Sequence, residues 1–103
     1  MDHFKKATIV LVTFKSQHII EKCLNNLEEE YDKILIENSN DLNFTNYLEK
    51  KYKNLKCYNT GYDAGFGPAL NIGFDKTKTE YIISMNPDSF PEKGCFEKLI
   101  KTA

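Results

Sequence analysis

The sequence has little cysteine, no tryptophan and no excess of charge of either sign. Its 103 residues include 3 Cys, and 14 basic residues face 15 acidic ones, for a net charge of −1. Cysteines that are odd in number, far apart and outside any C-x-x-C pair argue against a disulfide framework or a zinc site, and they fit a reducing cytoplasm. Without a basic excess, nucleic acid is not an expected partner. No segment is long enough to span a bilayer, so no transmembrane segment is expected.

The chain does show a regular alternation of strand and helix patterns. Hydrophobic residues make up 41% and aromatic residues 13% of it, which indicates one globular domain over residues 1–103. The β-branched run 7–13 predicts a strand buried on both faces. Residues 16–27 predict a helix with Ser16 as its N-cap and Cys23 packed as a small hydrophobe. Further strands are predicted at 33–37, 55–58 and 80–85, and further helices at 43–52 (with Tyr47 on the apolar side), 68–76 and 91–101.

This order, βαβαβαβα, predicts an α/β fold with a doubly wound, mostly parallel sheet and right-handed crossovers. Ligands of such sheets bind at the carboxyl ends of the strands. Polar clusters follow the four predicted strands at residues 13–16, 37–41, 59–67 and 86–88. We therefore expect the binding site at that edge.

Two of these clusters have chemistry that suits a diphosphate. The loop Gly65-Phe66-Gly67 opens a helix, where free backbone N–H groups can bind an anion. Asp88 follows an apolar strand, and a carboxylate is a preferred ligand of Mg²⁺ or Mn²⁺. Purely structural readings remain open, because the glycines can form a tight turn and Asp88 can cap one. The loop is neither a dinucleotide fingerprint, since Leu70 stands where the third glycine belongs, nor a P-loop.

Two other strand ends carry candidate residues with two readings each. Thr13 and Phe14 can serve as core and cap, or Phe14 can form a shelf on which a nucleobase stacks. Glu37 can be a solvated charge at the sheet edge. Alternatively, its carboxylate accepts a hydrogen bond from an imide N–H or a ribose hydroxyl.

Together these motifs resemble the first half of family 2 glycosyltransferases with the GT-A fold, in particular their rhamnosyltransferase-like branch. Residues 12–16 stand where the family has Val-Thr-Tyr-Asn-Ser, and residues 21–27 match its Glu-x-Cys-Leu-x-x-Leu helix. Residues 36–41 resemble Val-Asp-Asn-x-Ser-x-Asp, and residues 65–73 match Gly-Phe-Gly-x-x-x-Asn-x-Gly. Residues 86–88 match the branch's Asn-Pro-Asp. The chain departs from the pattern where Lys15 replaces Asn, Glu37 replaces Asp and Asn86 replaces the first Asp of an Asp-x-Asp motif.

The resemblance implies a domain that binds a nucleoside-diphosphate sugar, of the UDP or dTDP type, for transfer of the sugar to an acceptor hydroxyl. It implies Mn²⁺ or Mg²⁺ held by Asp88, where the metal stabilises the leaving nucleoside diphosphate. The implied donor-nucleotide site consists of Thr13, Phe14, Glu37, Asn38, Gly65, Phe66, Gly67 and Asn71.

In that family the acceptor site and the general base belong to the second half of the domain. We therefore expect this chain alone to lack complete transferase activity, and no catalytic base is assigned. The alternative is a non-catalytic module that binds nucleotide sugars or a protein partner. A nucleotidyltransferase would need a basic glycine-rich loop after the first strand, and residues 15–18 do not provide one. The apolar strand 81–85 predicts a homo-oligomer or a missing C-terminal half that covers it. A cytoplasmic location is expected, with peripheral attachment to the inner membrane face left open.

Overall fold

The computed structural model describes residues 6–85, which form alternating strands and helices. The elements are β1 (Ala7–Thr13), α1 (Gln17–Asn25), β2 (Asp32–Glu37), α2 (Leu42–Lys51), β3 (Leu55–Asn59), α3 (Phe66–Lys76) and β4 (Tyr81–Met85). The helix predicted at 91–101 lies outside the described residues. None of the helices within 6–85 is long and apolar enough to cross a bilayer.

The strands form one parallel sheet in the order β3-β2-β1-β4. Its register places Thr13 opposite Glu37, and Glu37 opposite Asn59. The carboxyl ends of β1, β2 and β3 therefore lie side by side at one edge. The predicted α/β fold with a mostly parallel sheet is confirmed.

The two faces of the sheet are covered by different helices. On one face, Ile20 and Cys23 of α1 and Leu48 of α2 pack with Ile9 and Leu11 of β1, and all five are buried. On the other face, Ala69 of α3 packs with Ile34 and Ile36 of β2. Cys23 is thus a small hydrophobe of the core, as predicted.

Two predicted helix bounds are wrong, and one predicted cap is confirmed in position only. The first helix ends at Asn25, two residues before Leu27, although Leu27 remains buried. Ser16 is the N-cap residue of that helix, as predicted, but its side chain makes no capping bond, and its hydroxyl donates to the carbonyl of Phe14. The third helix begins at Phe66, two residues before Pro68. A proline in the third helical position removes no intrahelical hydrogen bond, so it does not have to mark the start.

Tyr47 was also expected on the apolar side of α2, and it is 44% exposed. Its hydroxyl donates to the Glu21 carboxylate on α1 at 3.1 Å. The same carboxylate accepts from Lys51 Nζ at 2.6 Å and from the hydroxyl of Tyr52 at 3.0 Å. The hydrogen bond from Lys51 is the main cause that lowers the pKa of Glu21. The amphipathic tyrosine therefore joins two surface helices and does not fill the core.

Strand β3 pairs with β2, and a side chain occupies part of its other edge. The backbone N–H of Cys57 donates to Glu49 Oε2 of α2 at 2.7 Å, which satisfies a donor that an edge strand would otherwise present to other chains. Burial is the main cause that raises the pKa of the Cys57 thiol from 9.0 to about 12, and the Glu49 charge adds to it.

We predict that Cys57 reacts slowly with iodoacetamide at pH 8, because only the thiolate is nucleophilic and the raised pKa depletes it. Peptide mapping of native and urea-unfolded protein would compare the two rates, with about a hundredfold slower labelling expected in the native state. Since Glu49 contributes to the shift, E49Q should label faster than the wild type. Equal rates in native and unfolded protein would contradict the assignment.

The third helix approaches the sheet closely at Gly73. A Cβ atom built at Gly73 would lie 2.5 Å from Val10 Cγ1 and 3.5 Å from Ile36 Cγ1. Val10 is fully buried, so it cannot move aside without disturbing its neighbours. The last glycine of the Asn-x-Gly motif is therefore explained by helix–sheet packing.

We predict that Gly73→Ala lowers the free energy of unfolding by about 1–3 kcal/mol, because the added methyl group overpacks the interface. Gly67→Ala is the matched control in the same helix, since a Cβ there meets nothing within 4 Å. The control should be neutral or slightly stabilising, by about 0.5 kcal/mol. Urea unfolding followed by circular dichroism measures both variants. A G73A protein as stable as G67A would show that the helix is not held at this distance.

Candidate functional site

The described residues at the carboxyl edge of the sheet converge on the side chain of Glu37. Glu37 is 1% exposed, so the reading as a solvated edge charge is wrong. Its Oε1 accepts from the hydroxyl of Thr13 at 2.7 Å. Its Oε2 accepts from the backbone N–H of Lys15 at 3.1 Å and from the hydroxyl of Ser39 at 2.5 Å. The carboxylate therefore ties the end of β1 to the end of β2.

Asn38, the next residue, holds the loop that precedes α3. Its Nδ2 donates to the carbonyl of Gly65 at 2.9 Å. Its Oδ1 accepts from the backbone N–H of Ala64 at 2.7 Å and from the hydroxyl of Thr60 at 3.1 Å. Asn38 is 3% exposed, so these bonds form out of water. One buried amide thus fixes both ends of the loop 60–65.

Backbone bonds attach the same loop to β2 and its continuation. The N–H of Thr60 donates to the carbonyl of Glu37, and the N–H of Gly61 donates to that of Ser39, both at 3.0 Å. Gly65 closes the loop with φ at 87°, a backbone conformation that favours glycine. The requirement for glycine at this position therefore comes from the turn.

A second cluster of polar side chains is centred on Asp41, at the start of α2. Asp41 Oδ1 accepts from the N–H of Phe44 and so caps the helix. Its Oδ2 accepts from Gln17 Nε2 of α1. Its backbone N–H donates to Asn59 Oδ1 at 2.8 Å, and Asn59 Nδ2 donates to the hydroxyl of Thr45 at 3.1 Å. Asn59 and Asp41 therefore connect the end of β3 to both helices of that face.

A cleft of about 570 Å³ opens between the turn after β1 and the loop after β3. Two exposed rings stand at its borders, Phe14 at 50% and Tyr62 at 68%. The amine of Lys15 lies 5.3 Å from the centre of the Phe14 ring. The complete lining consists of Phe14, Lys15, Gln17, Ser39, Asn40, Asp41, Gly61, Tyr62 and Asp63. Exposed aromatic rings at a cleft offer surface on which a flat aromatic group can stack.

The predicted site residues divide into three groups. Thr13, Glu37 and Asn38 are brought together as a buried floor beside the cleft, and Phe14 lies at its border. Gly65 directly precedes α3, Phe66 and Gly67 begin it, and Asn71 lies in its second turn. Phe66 is 56% exposed, and Gly67 and Asn71 are exposed. Asp88, with Asn86 and Pro87, lies outside the described residues. Within residues 6–85, no cluster of three or more metal-ligating side chains is present.

Sequence reasoning missed the contributions of Lys15, Ser39 and Tyr62. Lys15 has a left-handed backbone with φ at 52°, which nothing in a lysine side chain signals. Tyr62 lies in a loop, and only the folded loop brings it to the same cleft as Phe14. Ser39 fell within a polar cluster that was expected at this edge, but its partner Glu37 could not be named from the cluster.

A larger cleft of about 820 Å³ lies at the opposite end of the strands and along β3. Its lining includes Lys50, Lys53, Lys56, Lys76 and Lys78. Lysines along an edge strand discourage pairing with other chains. We assign the functional site to the smaller cleft, because the carboxyl ends of parallel strands are where the polar side chains converge.

The glycosyl transferase family 2 model matches residues 8–103. Among solved structures, the crystal structure of residues 1–349 of TarS from S. aureus is similar, with a TM-score of 0.78 at 17% sequence identity. The match covers 93% of this chain and 31% of the TarS chain, so this chain spans about a third of that structure. At this identity, the likeness shows the fold. No curated protein matches the chain.

We predict that Asn38→Ala loosens the loop 60–65, because it removes one donor and one acceptor from a buried network. The free energy of unfolding should fall by about 1–3 kcal/mol, and the amide hydrogen of Ala64 should exchange more than about tenfold faster. The exposed neighbour Asn40 supplies the matched control, Asn40→Ala. Hydrogen exchange read by mass spectrometry measures both, and unchanged exchange at Ala64 in N38A would contradict the role given to Asn38.

Proposed function

Because the chain belongs to glycosyl transferase family 2, we propose that it binds the nucleotide of a nucleoside-diphosphate sugar in the cleft between Phe14 and Tyr62. The observation that carries the proposal is the position of the cleft, at the carboxyl edge of the parallel sheet and beside the buried floor of Glu37 and Asn38. Two exposed rings at the borders of a cleft provide stacking surface for a nucleobase. UDP and dTDP sugars, as in the rhamnosyltransferase-like branch, are the donors we propose.

The diphosphate and sugar are proposed to extend from the cleft toward the start of α3. The first N–H groups of a helix have no partner within the helix and can bind phosphate oxygens. A Cβ built at Gly67 meets nothing within 4 Å, so the backbone there is open to a ligand. Phe66 and Asn71 are exposed near this start and are proposed to contact the donor.

The charge of the cleft supports a requirement for Mn²⁺ or Mg²⁺. Lys15 is the one cationic side chain among the described residues that line it, and Asp41 and Asp63 carry opposite charge. A diphosphate brought there is repelled by both carboxylates, and one lysine does not neutralise it. A divalent cation would supply the missing positive charge, and Asp88 is the residue we propose to hold it.

For the complete reaction we propose transfer of the sugar to an acceptor hydroxyl. The bond between the anomeric carbon and the phosphate oxygen breaks, a bond to the acceptor oxygen forms, and the acceptor proton passes to a general base. No described residue is assigned as that base. Self-association through β4 also remains a proposal, supported by the 40% exposure of Ile82 on that strand.

We predict that UDP or dTDP binds at least about tenfold more tightly with Mn²⁺ than with EDTA, since the cation offsets the repulsion of the diphosphate. Asp88→Ala should abolish the difference between the two conditions. Isothermal titration calorimetry of the full chain measures it directly.

The control is Asp75→Ala, which removes an exposed carboxylate from α3 and should leave the metal dependence unchanged. Loss of the metal dependence in D75A as well would point to a general charge effect. If the wild-type protein binds none of the nucleotides under either condition, the proposed function is wrong, and an interaction module becomes the better reading.

A further inference from the structure

We infer that Glu37 serves the nucleotide site as a positioning residue that acts through the backbone of Lys15, without touching the nucleotide. This inference rests on the proposed function for its effect on binding. Its structural part, the dependence of the turn after β1 on the Glu37 carboxylate, can be tested without any nucleotide.

The first observation is the backbone conformation of Lys15. Within residues 6–85, two residues other than glycine have positive φ, Lys15 at 52° and Asn54 at 59°. Asparagine tolerates the left-handed region because its short polar side chain can bond locally, whereas lysine has no such compensation. An unfavourable conformation persists only where surrounding contacts impose it.

The second observation identifies such a contact. The backbone N–H of Lys15 donates to Glu37 Oε2 at 3.1 Å. Ser39 donates to the same oxygen, and Thr13 donates to Oε1 at 2.7 Å. Hydrogen bonds from Thr13 and Ser39 fix both oxygens of the carboxylate, so the carboxylate can in turn fix the backbone of Lys15.

The third observation concerns what Glu37 can reach. Its side chain is 1% exposed, and its hydrogen bonds run to three residues of this chain. Glu37 is not among the residues that line the cleft, and a nucleobase bound there would meet almost no exposed surface of its carboxylate. Phe14 and Lys15, by contrast, line the cleft directly. The geometry therefore connects Glu37 to the ligand through the turn that carries Phe14 and Lys15.

Two substitutions at Glu37 separate positioning from direct contact. Glu37→Asp keeps the carboxylate but shortens the side chain by one methylene group, which withdraws it from Lys15. Glu37→Gln keeps the length, and its amide oxygen can still accept from Lys15 while its amide group donates to Thr13 Oγ1. A direct contact with an imide N–H would give the reverse order, because the amide of E37Q would place a donor against a donor.

A second substitution, at Lys15, tests whether Glu37 acts through the backbone conformation of residue 15. Lys15→Asn places at this position a residue that tolerates the left-handed conformation without help from Glu37. The double variant E37D/K15N should therefore recover the left-handed conformation that E37D loses, although it also removes the one cation of the described lining. Thr13→Val is the matched control for the turn, because it removes the hydrogen bond to Oε1 and leaves the one between Lys15 and Oε2 in place.

The experiment combines two readouts on the five proteins that these changes define, including the wild type. The Cα and Cβ chemical shifts of residue 15 and its HN–Hα coupling report φ, and calorimetry with UDP and Mn²⁺ reports affinity. We expect residue 15 to leave the left-handed region in E37D and to keep it in E37Q, T13V and E37D/K15N. UDP affinity should fall about tenfold in E37D and stay within about threefold of the wild type in E37Q. The double variant E37D/K15N is read by its chemical shifts and coupling alone, because it also removes the charge of Lys15 from the cleft.

The outcomes separate this inference from the proposed function. If the wild type binds no UDP, the proposed function fails, and the shifts of residue 15 still test the role of Glu37. If E37Q loses more affinity than E37D, or if E37D/K15N does not recover the left-handed shifts of residue 15, the positioning role is refuted. Should E37D alone not fold, recovery of folding in E37D/K15N supports the role, and failure of both variants overturns it.

Discussion

The buried carboxylate of Glu37 is the constraint on which the site depends. A buried polar group has to be hydrogen-bonded, because its lost contacts with water are otherwise not replaced. Here the replacing donors come from the end of β1, from the turn after it and from the residue two positions after Glu37. Each donor is fixed in place by serving the carboxylate. One desolvated group therefore determines the shape of the edge at which a ligand would bind.

The register of the sheet makes this arrangement possible. Thr13, Glu37 and Asn59 are paired across three neighbouring strands, so their side chains reach the same edge at the same height. Asn38 and Asn59 then extend the network into the loop 60–65 and into α2. The hydrogen-bond network beside the cleft is thus formed before any ligand arrives, while the exposed rings of Phe14 and Tyr62 stand at the cleft's borders. Such preorganisation reduces the conformational entropy that binding would lose.

The sequence allowed the order of elements to be predicted because hydrophobic periodicity is a local property. The run 7–13 and the spacing around Cys23 each carry their own signal, and the parallel sheet follows from their alternation. Helix ends were less predictable, since they depend on competing hydrogen bonds. Ser16 takes the predicted N-cap position, but its hydroxyl bonds to the carbonyl of Phe14 and not to the helix. Tyr47 had the right spacing for the core, but its hydroxyl found Glu21 on the neighbouring helix.

The sequence predicted where the site lies, but not what each of its residues does. Polar clusters at the strand ends located the edge, and Glu37 was identified as a candidate. Whether its carboxylate faces water, a ligand or the chain depends on which donors the fold brings to it, and a list of residues does not contain that information. Lys15 and Glu37 were recognised from the sequence as two separate departures from the family motif. In the structure, the backbone N–H of Lys15 donates to the carboxylate of Glu37, so the two departures from the motif are in direct contact.

In the proposed function, the base and the diphosphate of the nucleotide would be bound by different kinds of interaction. The base would be held by stacking and by the shape of a preformed cleft, neither of which needs a counter-charge. A diphosphate bound as proposed would lie beside Asp41 and Asp63, with Lys15 as the one described cation of the lining, and a bound metal would supply the missing positive charge. In the proposed function, the described edge would position the nucleoside. Electrostatic stabilisation of the leaving diphosphate would come from the metal that we propose Asp88 to hold.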